Sequence, residues 1–216
     1  MLEPRSFATV VSTLQAAFTR PLPGASAQAR MAPRPRREWP AGFNPARIRD
    51  AAGLLLLFPV ADRPHIVLTV RADTLGRHGG QVSLPGGVVE PGETFEQAAV
   101  REAHEEVALP REGIGVLGML TPLDIPVSGF RLHPVVAKRS AAPAVHPADG
   151  EVARILTVPV HELLDPARVV SVRRVADGRT IDVPAFRVGA DEIWGATAMV
   201  LAEFLTLLGW SGPRRE

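Results

Sequence analysis

The sequence predicts an α/β protein in which helices cover a mixed β-sheet. Two apolar segments, residues 51–59 and 65–71, flank an Asp-Arg-Pro turn and are typical of buried strands that form a hairpin. Residues 94–109 show the four-residue apolar spacing of an amphipathic helix. A last apolar segment, ending near Gly209, predicts a closing helix. A hairpin that feeds a mixed sheet, together with a helix whose small apolar residues suit close packing against a sheet, predicts an α/β fold.

The composition excludes several classes of function. The chain has 216 residues, a net charge of +1 and no cysteine. Disulfides, thiol catalysis and cysteine-ligated zinc are therefore excluded. The near-neutral charge gives no global field that would favour nucleic acid. No apolar run reaches the length of a membrane span, and the N-terminus does not resemble a secretory signal, so we expect a cytoplasmic protein.

The N-terminal region divides into a helix and an arm. Residues 6–18 place apolar side chains on one side of a short helix. Residues 20–44, rich in Pro, Ala and Arg, predict a linker or an arm on the domain, with Trp39 and Phe43 as its docking residues. By composition a solvated tether is favoured over an arm that contacts an anionic ligand or nucleic acid.

The remaining chain reads as short strands and two further helices. Strands are predicted over residues 82–84, 115–120, 132–137 and 152–159, with a hairpin of residues 169–175 and 180–188 across Asp177-Gly178. Residues 161–164 predict a short helix. The closing helix is expected to open at Ile193, with these side chains in the core: Trp194, Met199, Leu201, Phe204, Leu205 and Leu208.

The amphipathic helix carries its own start and stop signals. Thr94 with Gln97 three residues later forms a capping-box pattern, and Pro110 cannot continue the helix, which should end near Leu109. The apolar stripe of this helix is expected to pack against the sheet and consists of Phe95, Ala99, Ala103 and Val107.

Glu102, Glu105 and Glu106 of this helix lie at positions i, i+3 and i+4, which brings three carboxylates together on one face. Arg101 can offset one charge through Glu105, one turn later. An isolated cluster of this kind is most simply a solvated acidic surface. The alternative is a site for a hard divalent metal such as Mg²⁺, which prefers oxygen ligands.

The register of the whole segment favours the metal site. Gly87, Glu93 and the sequence from Arg101 to Glu106 follow the spacing G-x5-E-x7-R-E-x-x-E-E. This resembles the signature of the Nudix hydrolases. The sequence departs from that signature at Ala103, smaller than the usual aliphatic residue, and at Ala108, where a glycine is usual; neither change removes a carboxylate.

A second element, upstream, resembles that of the coenzyme A diphosphatase branch of the family, roughly LLTxR[SA]x3Rx3Gx3FPGG. The matching positions are Thr69, Arg71, Ala72, Gly80, Pro85, Gly86 and Gly87. Val67 and Leu84 are mild departures. Gly76 stands where an arginine is expected, and Arg77 lies one place late, which bears on the substrate.

The resemblance implies a Nudix-type α/β/α sandwich, with residues 1–48 as N-terminal helix and arm, 49–210 as the Nudix hydrolase domain and 211–216 as a tail. It implies that Glu102, Glu105 and Glu106 bind Mg²⁺ or Mn²⁺. The catalytic residues are then expected to be Arg101, Glu105 and Glu151, where Glu151 is a candidate general base or further ligand. The substrate-binding residues are expected to be Arg71, Arg77, His78, Gln81, Gly86, Gly87 and Phe130.

By resemblance the reaction is hydrolysis of the diphosphate of coenzyme A or its derivatives to 3′,5′-ADP and 4′-phosphopantetheine. Phe130 is a candidate to stack on adenine, although a core position is the simpler reading. Two other functions stay open: a Nudix hydrolase of an NDP-sugar, a dinucleotide or a damaged nucleotide, and a non-catalytic Nudix-fold module that binds a ligand or RNA. The expected partner is a small molecule, not a nucleic acid or a membrane, and a homodimer is left open.

Overall fold

A computed structural model describes residues 5–72, 80–148, 150–176 and 179–213. In these ranges the α-helices are α1 (Phe7–Ala17), α2 (Gly24–Gln28), α3 (Phe95–Val107), α4 (Val160–Leu164) and α5 (Gly195–Leu207). The strands are β1 (Arg49–Val60), β2 (Arg63–Arg71), β3 (Val82–Ser83), β4 (Gly86–Val88), β5 (Gly115–Met119), β6 (Leu123–Ile125), β7 (Phe130–Lys138), β8 (Val152–Pro159), β9 (Val169–Ala176), β10 (Arg179–Val188) and β11 (Asp191–Trp194). None of the described helices is long and apolar enough to cross a membrane.

The main sheet has eight strands and is mixed, as predicted. Its central order is β3-β2-β1-β7-β5, while β4 pairs with β1, β6 with β7 and β8 with β2. β1 and β7 are parallel from Arg49, opposite Phe130, to Leu57, opposite Lys138. The other pairings are antiparallel. The parallel pair lies at the centre, where both faces are covered, and this explains the uninterrupted apolar run of β1.

Helices cover both faces of this sheet. Because side chains alternate along a strand, Ala52 and Leu54 of β1 face α3, whereas Leu55 and Leu57 face the core that includes α1 and α5. The small stripe residues of α3 allow this helix to approach the sheet closely. The result is the predicted α/β/α sandwich. Among the described residues, α3 is the α-helix that contributes to the core on one face, whereas α1, α4 and α5 contribute to the core on the other face.

The structure corrects the predicted start of the closing helix. Asp191–Trp194 is a strand that pairs with β10, and α5 begins at Gly195. Trp194 is not a core residue: it is half-buried, and the guanidinium of Arg174 lies 5.6 Å above its ring. The segment before Gly195 is an edge strand of the three-stranded sheet β11-β10-β9. The other predicted core residues of α5 are buried.

The N-terminal arm is built into the protein. α1 forms as predicted, capped by the Ser6 hydroxyl, which accepts a hydrogen bond from the Thr9 N–H. The arm then folds into α2 and a 3₁₀ turn over Ala29–Met31, and Met31 is fully buried. The tether favoured by composition is therefore wrong for this segment. Trp39 stacks on Phe43 within the arm, with ring centroids 4.3 Å apart, and its indole N–H donates to Asp124 of β6 at 3.4 Å. The predicted docking contact is therefore seen for Trp39.

A buried carboxylate fastens the arm to α5. Glu203 has no exposed surface, and its oxygens accept hydrogen bonds from the Gly24 N–H (3.1 Å) and the Gln28 Nε2 (2.9 Å) of the arm. The hydroxyl of Thr121, between β5 and β6, donates to the same carboxylate at 2.7 Å. A buried charge of this kind requires several donors, and the folded arm provides two of them.

Candidate active site

The helix α3 begins where the sequence predicts. The Thr94 hydroxyl accepts from the Gln97 N–H (3.2 Å), and the Gln97 side chain accepts from the Thr94 N–H (2.9 Å), which completes the capping box. The helix ends at Val107, two residues before the predicted end, because Ala108 adopts a left-handed conformation with φ of +52°. Alanine thus occupies a conformation that favours glycine.

The predicted apolar stripe places the carboxylates. Ala99, Ala103 and Val107 are fully buried against the sheet. Phe95 is partly buried and stacks on His133 of β7, with ring centroids 3.6 Å apart. Residues on the opposite side of a helix with this stripe stay accessible. Glu105 is exposed, while Glu102 and Glu106 are half-buried at the side of the helix next to β4.

Arg101 is the hub of the acidic cluster. Its Nη1 donates to Glu102 (2.9 Å) and to Glu105 (3.1 Å), the latter being the contact that the spacing predicts. Its Nε and Nη2 donate to the two carboxylate oxygens of Glu93 at 2.7 and 3.0 Å, and Nη2 also donates to the Val88 carbonyl at 2.9 Å. All five guanidinium N–H donors can therefore be engaged, which holds the side chain in one orientation.

Glu93 is a site residue that the sequence analysis left without a role. Its bidentate pair with Arg101 lowers the pKa of Glu93, helped by a hydrogen bond from the Glu90 N–H, and the same pair raises the pKa of Arg101. The signal was present in the sequence, since Glu93 is a fixed position of the signature eight residues before Arg101. Only the bend between β4 and α3 shows that the two side chains meet.

Two glycines bring β4 against the carboxylates. A Cβ on Gly87 would lie 2.5 Å from the carboxyl carbon of Glu102, so the Glu102 carboxylate occupies the space that a side chain at 87 would need. A Cβ on Gly86 would lie 2.2 Å from the Ala52 carbonyl oxygen of β1. The Gly86 N–H donates to Glu106 at 3.1 Å. Burial raises the pKa of Glu102, opposed by its hydrogen bond from Arg101.

The donor set of this cluster fits a hard divalent metal, because it consists of carboxylate oxygens beside a strand with an accessible backbone. The side chains are not arranged around an ion here: within the described ranges no three acidic or histidine side chains converge closely enough to hold one. The reason is local, since Glu102 and Glu105 turn to Arg101 and Glu106 turns to Gly86.

Arg71, Gln81 and Glu151 come together at the end of β2. The Arg71 N–H donates to the Gln81 carbonyl (3.0 Å), and the Ala72 N–H donates to the Glu151 carbonyl (2.8 Å). The side chains of Arg71 and Glu151 form an ion pair with a nitrogen-to-oxygen distance of 3.3 Å, and both are close to half exposed. Glu151 thus faces an arginine in this arrangement, and its role as base or ligand stays a prediction.

This group adjoins the acidic helix. The segment before Glu151 is fastened to the end of α3, because the Ala148 N–H donates to the Glu106 carbonyl (3.0 Å) and the His146 N–H donates to the Val107 carbonyl (3.1 Å). The fold therefore brings the upstream element and the end of the acidic helix to one region.

The other predicted substrate residues differ in outcome. Phe130 is half-buried at the start of β7, and the guanidinium of Arg49 lies 4.1 Å from its ring centroid, so one ring face is already covered. Arg77 and His78, together with Gly76, lie outside the described residues.

Comparison with known proteins identifies the family. The NUDIX domain family matches residues 47–177, more than half of the chain. The chain belongs to the Nudix family. A relative from Pectobacterium atrosepticum, named Uncharacterized Nudix hydrolase NudL, is 33% identical over 165 residues, covering 75% of this chain and 84% of the relative. A relative of the same name from Yersinia pestis is 37% identical over 149 residues, covering 68% and 74%.

A solved structure agrees with the family. The Nudix hydrolase RenU from M. smegmatis superposes with a TM-score of 0.54 at 23% identity, covering 78% of this chain and 90% of that protein, which shows the Nudix fold. The predicted fold and the prediction of a Nudix-family hydrolase are confirmed. Members of this family generally need a divalent metal. The residue roles, the domain boundaries and the coenzyme A branch stay predictions.

Proposed function

We propose that the protein hydrolyses the diphosphate linkage of coenzyme A or its derivatives. The supporting observation is the meeting of two sequence elements: Arg71 and Gln81, from the upstream element of the coenzyme A branch, adjoin the end of the Nudix helix through Glu151 and the segment before it. An arginine that is close to half exposed in the region at the end of a Nudix helix is suited to bind phosphate oxygens.

The roles of the residues follow from their contacts. Glu102, Glu105 and Glu106 would hold Mg²⁺ or Mn²⁺, which when bound neutralises diphosphate charge and lowers the pKa of a water molecule. Arg101, held by Glu93, orients Glu102 and Glu105 for that task. Gly86 and Gly87 let β4 approach without a side chain in the way.

In the proposed reaction the water oxygen attacks one phosphorus and the bond from that phosphorus to the bridging oxygen breaks. The products are 3′,5′-ADP and 4′-phosphopantetheine, or its acyl form. Arg71 offsets the negative charge that develops on the phosphate oxygens. Glu151, which pairs with Arg71, would accept the proton of the water once substrate binding draws Arg71 to the phosphates. The proposal keeps a small-molecule substrate and the expected cytoplasmic location.

The test is product analysis by mass spectrometry after incubation with Mg²⁺ and coenzyme A, beside ADP-ribose, diadenosine polyphosphates and 8-oxo-dGTP. We expect 3′,5′-ADP and phosphopantetheine, with coenzyme A preferred. Cleavage of another substrate instead would keep the Nudix reaction and reject the coenzyme A branch, an outcome that the Gly76 departure makes worth testing. No cleavage of any of the substrates would favour a binding module.

A further inference from the structure

The arm forms one wall of a groove that the proposed mechanism does not use. A cavity of about 380 Å³ is lined by Gln28 and Arg36 of the arm and by Asp124, Arg131 and His133 of the sheet. A second cavity, of about 480 Å³, shares Arg36 and Asp124 and adds Trp39. Because the two cavities share lining residues, they form one continuous groove, here called the arm groove.

The arm groove lies beside the catalytic helix on the same face of the sheet. Ala52 of β1 pairs with Gly87 on one side and with His133 on the other, so these three residues form a row across the sheet. Two strand spacings separate Gly87 from His133, about 10 Å. His133 stacks on Phe95 at the start of α3, which shows that its side chain is on the side of the acidic cluster. Ala52 itself is buried beneath α3, so a substrate bound at the metal-binding helix would reach the groove around the start of that helix.

The groove offers cationic donors. Arg131 donates from Nε and Nη2 to Asp124 at 2.7 and 3.2 Å, and a guanidinium has five N–H donors, so Arg131 retains donors for a further acceptor. Arg36 is exposed and lines both cavities. Arg37 adds a third guanidinium group, while three carboxylates face them: Glu38, Asp124 and Asp50, which lies opposite Arg131 in the sheet and bonds His133 at 2.8 Å. An anion would therefore bind through the N–H donors of Arg36 and Arg131 and not through an excess of positive charge.

The walls of the groove are fixed before a ligand arrives. Gln28 is 2% exposed and its amide donates to the Thr121 carbonyl and to Glu203, each at 2.9 Å. At the other end, the Trp39 indole donates to Asp124 at 3.4 Å. The arm is thus held on both sides of Arg36, and a preorganised wall reduces the entropy lost on binding.

We propose that the arm groove binds the phosphorylated adenosine end of the substrate, with Arg36 and Arg131 on its 3′-phosphate. The proposal rests on the function proposed above and names the part of the protein that distinguishes a 3′-phosphorylated nucleotide from an unphosphorylated one. It also assigns a function to the arm, which lies outside the residues of the Nudix signature.

The first test measures binding, independently of turnover. Titration calorimetry with Mg²⁺ present would compare 3′,5′-ADP and 5′-AMP on the wild-type protein and on R36A, R36K and R47A. Arg47 is an exposed arginine of the same arm outside the groove and is the matched control. We expect the wild-type protein and R47A to bind 3′,5′-ADP at least about tenfold more tightly than 5′-AMP, the effect of one charge-assisted hydrogen bond. R36A should lose most of this preference and R36K only part of it.

Equal affinity of the wild-type protein for the two nucleotides, or equal preference in R36A and R47A, would overturn the assignment. The second test compares kcat/KM for coenzyme A and dephospho-coenzyme A. R36A should reduce the preference for coenzyme A about tenfold, mainly through KM, whereas R47A should keep it. If neither substrate is cleaved but the binding preference depends on Arg36, the proposed reaction fails and the nucleotide site stands. If coenzyme A is cleaved with equal preference in R36A and R47A, the reaction stands and the site fails.

Discussion

The segment from β4 through α3 and the N-terminal arm carry net charges of opposite sign and differ in how their side chains are held in place. In the first segment Arg101 bonds three carboxylates and a carbonyl, all within thirteen residues of it in the chain. In the arm, the fixing contacts cross the whole chain, for example from Gln28 to Glu203, 175 residues away. Residue spacing therefore predicts the contacts of the segment from β4 through α3 well and those of the arm poorly.

The difference between these two regions shows which contacts can be predicted from a sequence pattern. A capping box or an i, i+4 pair repeats wherever a helix forms, because helix geometry sets the distance. A contact between α2 and α5 depends on how the whole chain between these two helices folds. The arm has the composition of a tether and becomes ordered because Glu203, Thr121 and the surface of α5 are already in place.

The largest effect should come from removing a carboxylate of the acidic helix. Glu106→Gln is expected to lower kcat/KM for the identified substrate by more than about a hundredfold, since loss of a group behind metal ligands alone typically costs 10–100-fold. The amide oxygen of glutamine can still accept the Gly86 N–H, so the melting temperature should stay close to that of the wild type. Glu112→Gln, at an exposed position off the helix, is the control. Metal-dependent turnover at the wild-type rate would remove Glu106 from the mechanism.

Removal of the Glu203 carboxylate, far from the arm in the sequence, should loosen the arm. Glu203→Ala leaves the Gly24 N–H and the Gln28 amide without a buried acceptor and should lower the free energy of unfolding by about 2 kcal/mol or more. Urea denaturation measures this change. Trypsin should also cleave the arginines of the arm faster than in Glu112→Ala, which deletes an exposed carboxylate. Unchanged cleavage of the arm would mean that Glu203 does not hold it.

The two glycines of β4 should separate activity from stability. In Gly87→Ala the three atoms nearest the new Cβ all belong to the carboxylate at the end of the Glu102 side chain, so activity should fall while stability changes little. In Gly86→Ala the Cβ meets the backbone of Ala52, which must shift, at an expected cost of about 1–3 kcal/mol. Thermal melts and kcat/KM for both variants check the contrast, and an equal loss of stability in the two variants would contradict it.

The smallest effect concerns the end of α3. Ala108→Gly should raise the free energy of unfolding by up to about 1 kcal/mol, because glycine adopts the observed positive φ without the steric cost that alanine has there. The flexibility of glycine in the unfolded state offsets part of the gain. Ala148→Gly, where no positive φ occurs, should destabilise slightly and serves as the control. A lower stability of Ala108→Gly in chemical denaturation would show that Ala108 is not strained.

Much of the site could be predicted from the sequence because its chemistry is local. The capping box, the stripe of α3 and the contact of Arg101 with Glu105 all follow from helix geometry. The predicted start of the closing helix was wrong because Trp194 belongs to strand β11, which forms by pairing with β10. Glu93 received no role because its distance from Arg101 depends on a bend, which spacing does not show.

The sequence by itself determined the longer elements of this protein: which segments form the long strands, where the acidic helix begins, and that the helix presents carboxylates in Nudix register. These depend on hydrophobic periodicity and capping, which act within one or two turns. Only the tertiary structure decided that Gly87 meets Glu102, that Arg71 meets Glu151, and that the arm closes a groove beside the catalytic helix. Those contacts join residues that are distant in the chain, and they exist only after the sheet has set the position of each element.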